Sequence, residues 1–128
     1  MASELRVNTL KDASGNNSIA TSFVAQGSAK AWVSFNGTGT LSVRDSFNTS
    51  SVTDNGTGSY THNFSSAFAA ATYSSQICGG ANLIYLDTGY GYTTSAKGFR
   101  AGYPSSTVGN VTQADGNDNN ATHHGDLA

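Results

Sequence analysis

Apolar and polar residues alternate most regularly in "AKAWVSF", which spans residues 29–35. Ala31, Val33 and Phe35 fall on one side of an extended chain, and Trp32 falls on the other. A period of two is the pattern of a β-strand with one buried face. The stretch therefore predicts a strand whose Ala31 side faces the core.

The next alternating stretch, "LSVRDSF" over residues 41–47, predicts a strand that returns antiparallel to the first. Leu41, Val43 and Phe47 share one side of it. Asp45 falls on the same side. We expect its carboxylate to reach a polar partner or to lie near the strand end, because burying an unpaired charge is costly.

A third strand is predicted at "SYTHNF", with Tyr60, His62 and Phe64 on one face. Shorter extended segments follow at residues 72–79, 81–87 and 97–113, whereas 48–58 is interpreted as a turn-rich connection and 66–71 as a segment that could form one helical turn. Many short strands separated by turn residues are typical of an antiparallel sandwich. The predicted fold is all-β, a jelly-roll-like antiparallel β-sandwich.

The tetrapeptide "NGTG" occurs twice, at Asn36-Gly37 and again at Asn55-Gly56, each time beside a predicted strand. Asn-Gly favours a type I′ turn, in which both central residues take positive φ. These four residues are therefore predicted to be structural turns, where the chain reverses direction between extended segments.

Three regions follow from the distribution of apolar residues. Residues 1–28 contain few apolar anchors and predict an extended N-terminal arm, which must lie either on its own domain or on neighbouring subunits. Residues 29–113 hold the predicted sandwich. Residues 114–128, "ADGNDNNATHHGDLA", are polar and low in complexity, and predict a flexible or partner-ordered tail.

Composition adds an argument about association. Only 11% of the 128 residues are charged and the net charge is −2, so the chain has no basic field with which to bind nucleic acid. A sheet protein poor in lysine and proline has few means of blunting its strand edges. We therefore expect neighbouring copies to cover those edges in an oligomer.

The residues that could carry chemistry are few, and the sequence predicts no catalytic, cofactor-binding or metal-binding site. Cys78 has no second cysteine and is interpreted as a small, buried, inert thiol. His123 and His124, with nearby aspartates, are weighed as a metal site and set aside, because adjacent histidines on an extended chain point in different directions. Glu4 is the only glutamate, and the sequence does not indicate the pair of carboxylic acids that glycoside hydrolysis requires.

Three aromatic residues are candidates for surface recognition: Trp32, Tyr90 and Tyr92. Trp32 lies opposite the apolar face of its strand, where it either packs against another sheet or subunit or contacts a sugar or protein partner. The two tyrosines lie among glycines, which is typical of recognition loops, although ordinary packing at a sheet end gives the same pattern.

The N-terminus, "MASELRVNTLKDASG", lacks a basic stretch followed by an apolar stretch, so no signal peptide is predicted. No apolar run approaches the ~20 residues of a transmembrane helix. The expectation is assembly in the cytoplasm of the cell that makes the protein, without membrane insertion.

Residues 7–64 resemble a module of tail-fibre and other virion structural proteins of marine bacteriophages, including cyanophages. The resemblance lies in "LKDASGNNSI", "AKAWVSFNGTGT" and "RDSFNTSSVTDNGTGSYTHNF", and in the spacing between them. It implies a non-enzymatic component of the virion exterior, a homotrimeric knob with an attaching arm. Its partners would be its own copies, other tail or capsid proteins and a host surface glycan. The chain lacks the repetitive shaft of a long fibre.

Three functions stay open from the sequence. The first is a short exterior fibre or spike knob that contributes to host attachment. The second is a capsid decoration protein without receptor binding. The third, from another class, is a free carbohydrate-binding module that uses Trp32.

Overall fold

The computed structural model describes residues 3–80, 84–86, 91–105 and 111–128. The fold is all-β, with antiparallel sheets packed as a sandwich, which confirms the predicted fold class. The elements in chain order are β1 (Thr9–Lys11), β2 (Ser18–Ala20), α1 (Thr21–Gly27), β3 (Ala31–Asn36), β4 (Ser42–Phe47), β5 (Thr49–Asp54), β6 (Ser59–Phe64), β7 (Ser74–Gly79), β8 (Ile84–Leu86), β9 (Ala96–Pro104), β10 (Val111–Gln113) and β11 (Asn119–His124).

One sheet has four strands in the order β4-β3-β11-β7. The other has β5, β6 and β9 in that order, with β8 and β10 also paired to β9. A separate hairpin joins β1 to β2. The two large sheets are called sheet I and sheet II below, in the order just given.

The core lies between the two sheets and is built by the alternation seen in the sequence. In β3 the residues Ala31, Val33 and Phe35 are buried, and in β6 Tyr60 and Phe64 are buried. This confirms the predicted inward faces of both strands. The ring of Phe35 meets that of Tyr60 edge-on at a centroid distance of 5.1 Å, a geometry worth about 0.5–1.5 kcal/mol beyond area burial.

A β-bulge changes the faces of β4. The register between β3 and β4 shifts at Ser34, so that Arg44 has no opposite residue. Phe47 then lies opposite Trp32 on the outer face, whereas Val43 lies opposite Phe35. The prediction that Phe47 and Val43 share one face is therefore wrong, because one extra residue moves every later side chain to the other side.

The bulge also resolves the position of Asp45. It lies opposite Ser34 on the outer face and is exposed, and its carboxylate accepts the backbone N–H of Ser46 at 2.8 Å. A polar partner was expected and is present, but the side chain never had to enter the core.

Two segments predicted without strands form strands. Residues 49–54, interpreted as part of a connection, are the edge strand β5, and Val52 packs against the core. Residues 114–128, predicted as a flexible tail, contain β11, which is paired on both sides within sheet I. The tail prediction is wrong, because Ala121 and His123 face the core and are buried there.

Polar contacts fix the chain that leads into β11. The Asp115 carboxylate accepts the Tyr60 hydroxyl at 2.8 Å and the Gly58 N–H at 2.7 Å. Asp118 forms an ion pair with Arg44 of β4 at 2.5 Å. Asn119, fully buried, donates to the carbonyl of Gly116 at 2.7 Å. Hydrogen bonds thus offset the cost of burying a polar strand.

Both "NGTG" stretches lie at reversals between paired strands, one between β3 and β4 and one between β5 and β6. Their turn type differs from the prediction. Asn36, Gly37 and Asn55 do not have positive φ, although Gly56 does. The side-chain oxygens of Asn36 and Asp54 instead accept backbone N–H groups two residues on, at 3.0 and 2.9 Å, as in Asx turns.

The segment before the sandwich, residues 3–28, comprises β1, β2 and α1. The helix was not predicted, since this region was interpreted as extended. It has seven residues, no side-chain N-cap and no buried residue. A helix this short is marginal in water when it stands alone. Within the described part of the chain, no helix has the length and apolar character needed to cross a membrane.

Candidate functional site

The first candidate surface is the N-terminal segment, residues 3–28. Leu5 is 79% exposed and Phe23 is 71% exposed. Other large apolar side chains of this segment are also exposed: Val7, Leu10, Ile19 and Val24. Single exposed apolar residues are ordinary, whereas six within twenty positions form an apolar surface of the kind found at interaction sites.

Local polar contacts hold the shape of this segment. The Asp12 carboxylate accepts the backbone N–H of Asn16 at 3.0 Å and the side-chain amide of Asn17 at 2.7 Å. The N–H of Asn16 is the main cause that holds the pKa of Asp12 below its ordinary value. Thr21 bonds back to the Asn8 carbonyl and so joins the start of α1 to the hairpin.

The second candidate surface is the outer face of sheet I. Trp32 is half-buried there, and Phe47 opposite it is 53% exposed. Pairing registers place two rows across the four strands, Phe47-Trp32-Thr122-Gln76 and Asp45-Ser34-Asn120-Cys78. The face thus combines two neighbouring aromatic residues with hydroxyl, amide and carboxylate groups.

The two candidate tyrosines differ in what the structure says of them. Tyr92 is half-buried, and its ring lies 5.2 Å from that of Tyr73, with the Lys97 Nζ atom 3.9 Å from its centroid. It therefore contributes to packing at the end of the core. Tyr90 lies outside the described residues.

A polar cluster lies inside the sandwich. His62 and His123 are fully buried, and His62 Nδ1 lies 3.0 Å from His123 Nε2. His62 Nε2 lies 2.7 Å from the Thr49 hydroxyl. Aromatic rings surround the pair, with Phe64 edge-on to both imidazoles at 5.0 and 5.1 Å. Burial in these surroundings lowers the pKa of His62 to about 4, since the charged imidazolium loses its hydration.

Hydrogen-bond direction in this cluster follows from the single hydroxyl proton of Thr49. Its nearest carbonyl is that of Trp32 at 3.1 Å. When the hydroxyl donates there, it accepts from His62 Nε2–H, and His62 Nδ1 accepts from His123 Nε2–H. The resulting chain joins β11, β6, β5 and β3, and so ties sheet I to sheet II.

Other chemistry-bearing residues are dispersed. His124 alternates with His123 and faces away from the core, as expected of adjacent residues on a strand. Among the described residues, no group of three or more histidine, cysteine or acidic side chains could hold a metal ion. Cys78 is exposed on the outer face of sheet I. The prediction of a buried thiol is therefore wrong, because β7 turns this residue outward.

Comparisons with protein-family models, with curated proteins and with solved structures found no match.

Sequence reasoning missed two features of these sites. Phe47 joins Trp32 only because of the bulge at Arg44, which has no mark in the sequence. The pairing of His62 with His123 was hidden by the interpretation of residues 114–128 as a tail. The burial of His62 could have been predicted, because His62 shares its strand face with Tyr60 and Phe64. The burial of His123 had little support in the sequence, because Ala121 is the only apolar residue that alternates with it.

Proposed function

We propose that this protein is a structural component of a bacteriophage virion exterior, a short homotrimeric knob of the tail or capsid that contributes to host attachment. The resemblance of residues 7–64 to phage structural modules supports the proposal. The observation that carries it is the N-terminal segment, whose apolar side chains find no cover in the sandwich of their own chain. Such a segment is suited to docking on neighbouring copies and on other virion proteins.

The work of such a knob is mechanical. Contacts between copies would cover the apolar N-terminal residues and the strand edges, and would hold three sandwiches in fixed relation. Weak contacts from each sandwich to a host glycan would then add by avidity, because linked sites engage at high effective concentration. No reaction is required, and the proposal assigns no cofactor.

Deletion of residues 1–28 is expected to leave a folded sandwich that no longer forms trimers or enters particles. Residues 3–28 are exposed or half-buried, so the melting temperature should change by less than about 4 °C. Light scattering should report the mass of one chain for the truncated protein and of three chains for the full protein. Purified particles should lack the truncated chain.

A full-length variant, Leu5→Ser with Phe23→Ser, is the matched control for chain length. It should assemble as poorly as the truncated chain if the apolar side chains are what matters. A truncated chain that remains trimeric and is incorporated normally would remove the proposed role of the segment. Labelling the protein on intact particles would then distinguish a tail knob from a capsid decoration.

The outer face of sheet I favours a second function, a carbohydrate-binding module. Trp32 and Phe47 lie on adjacent strands in register, and the rows beside them carry amide and hydroxyl groups. Sugars stack on aromatic faces and are oriented by such polar groups. In this function the isolated chain is a monomer and binds glycan by itself.

Phe47→Ala is expected to weaken glycan binding about fivefold if this face is the binding surface, since one aromatic contact is worth about 1 kcal/mol. Glycan arrays followed by calorimetry on the selected sugar measure the change. Tyr103→Ala is the matched control, because Tyr103 is an exposed aromatic residue of the other sheet. Equal losses in both variants would exclude the outer face of sheet I as the specific site.

A further inference from the structure

The buried imidazoles of His62 and His123 lie where the two sheets meet. Their hydrogen bond joins β6 of sheet II to β11 of sheet I, and the Thr49 hydroxyl carries the chain on to the Trp32 carbonyl of β3. Both histidines are fully buried. A change in either imidazole therefore acts on both sheets at once.

The groups that face this pair are of several kinds. From β9, Lys97 lies opposite His62, and its buried Nζ donates to the Gly98 carbonyl at 2.7 Å. The Tyr73 ring packs edge-on against His123 at 5.7 Å, and its hydroxyl donates to the Ala96 carbonyl. The other neighbours of His123 in register are uncharged, Ser75 of β7 and Ala31 of β3.

We propose that the His62–His123 hydrogen bond is an acid-sensitive lock between the two sheets, closed when both imidazoles are neutral and broken when they take up protons. In the neutral chain His62 Nδ1 is an acceptor. When both imidazoles are protonated, the Nδ1–H of His62 and the Nε2–H of His123 face each other across 3.0 Å. Doubly protonated imidazoles have only donors, so the pair then repels within a buried site.

The direction of the pH effect follows from proton binding in each state. Burial holds the pKa of His62 at about 4 in the folded chain, against 6.5 for the free side chain. Between these values the unfolded chain binds the proton and the folded chain does not. The free energy of unfolding is therefore unaffected by this group above pH 6.5, and it falls as the pH is lowered from 6.5 towards about 4. At pH 4 the folding equilibrium constant should be lower by roughly a hundredfold from this group alone.

Urea unfolding of the full chain, measured by tryptophan fluorescence between pH 7.5 and 4, tests the lock. The folding constant of the wild-type chain should decline through this range. His124→Leu should show the same decline, because His124 faces away from the core. In the double variant His62→Leu with His123→Leu, the folding constant should decline less between pH 7.5 and 4. The part of the decline that protonation of the two imidazoles causes should be absent, since apolar residues replace both partners. An equal decline in the double variant would overturn the proposal.

Long-range ¹H–¹⁵N spectra of the wild-type imidazoles give a second test that needs no variant. At pH 7 both His62 and His123 should be neutral with the proton on Nε2. His62 should not titrate in the folded chain above pH 5. A charged imidazole at pH 7, or titration of His62 above pH 5 in a chain that stays fully folded, would refute the lock even if the double variant did not fold.

Discussion

A chain that ends at Gln113 is expected not to fold at neutral pH, although the removed residues are mostly polar. The deletion takes away β11, which separates β3 from β7 in sheet I. With β11 gone, β7 loses its only described strand partner and β3 loses one of its two. The unpaired backbone groups would then lie within a half-open core.

The expected loss exceeds the stability of an ordinary domain. Ala121 and His123 leave the core, and the Tyr60 hydroxyl loses its bond to Asp115. A buried polar group left without its partner costs about 1–3 kcal/mol, and each opened strand pairing adds to this. Against a total of roughly 5–15 kcal/mol, the loss of a central strand should unfold the chain.

Circular dichroism and thermal unfolding measure this outcome. Deletion of residues 1–28 is the control, because it removes more residues and should leave the cooperative transition in place. A synthetic peptide of residues 114–128 should restore the transition in trans by refilling the gap between β3 and β7. A cooperative, β-rich chain of residues 1–113 without the peptide would show that β11 is dispensable.

The same strand shows how far the sequence can predict this fold. In β3 and β6 the buried positions are apolar or aromatic with a period of two, so the strands and their inward faces could be predicted. In β11 the inward positions are Asn119, Ala121 and His123. Their burial depends on partners far away in the chain, such as the Phe35 carbonyl and His62. The alternation of residues within one strand does not reveal these long-range partners, so the burial of β11 could not be predicted from it.

The two candidate surfaces, the N-terminal segment and the outer face of sheet I, could also be predicted only in part. The poverty of apolar residues in 1–28 pointed to a segment without its own core, and its apolar side chains are indeed exposed. The outward position of Trp32 followed from alternation. Its neighbour Phe47 did not, because the register of β4 is set by pairing with β3, and a bulge reverses the faces beyond it.

Gly37→Ala is expected to destabilise the protein by about 3 kcal/mol or more, which corresponds to a fall in Tm of at least roughly 12 °C. A Cβ on Gly37 would lie 2.2 Å from the Tyr60 hydroxyl oxygen and 2.6 Å from its Cζ atom. Tyr60 is fully buried, and its ring is held between Phe35 and Phe99. The ring therefore has little room in which to give way.

Two controls separate this close packing from backbone conformation. Gly27→Ala should cost little, since a Cβ there meets no atom within 4 Å. Asn36→Ala should cost about 1 kcal/mol, the worth of the bonds that its side-chain oxygen accepts from Thr38. If positive φ in a type I′ turn were the constraint, a β-branched residue would be as harmful at position 36 as at position 37. If packing against Tyr60 is the constraint, Asn36→Val should be much less harmful than a substitution at Gly37.

A double-mutant cycle between Gly37→Ala and Tyr60→Phe locates the clash. Tyr60→Phe alone should destabilise the chain, because Asp115 loses the hydroxyl that it accepts at 2.8 Å. In the presence of Gly37→Ala the same change removes the nearest clashing atom, so the two costs should sum to more than the cost of the double variant. Cζ remains close, so recovery should be partial. Strictly additive costs would mean that the new methyl group is accommodated without meeting the Tyr60 hydroxyl, and that the turn rather than the ring limits residue 37.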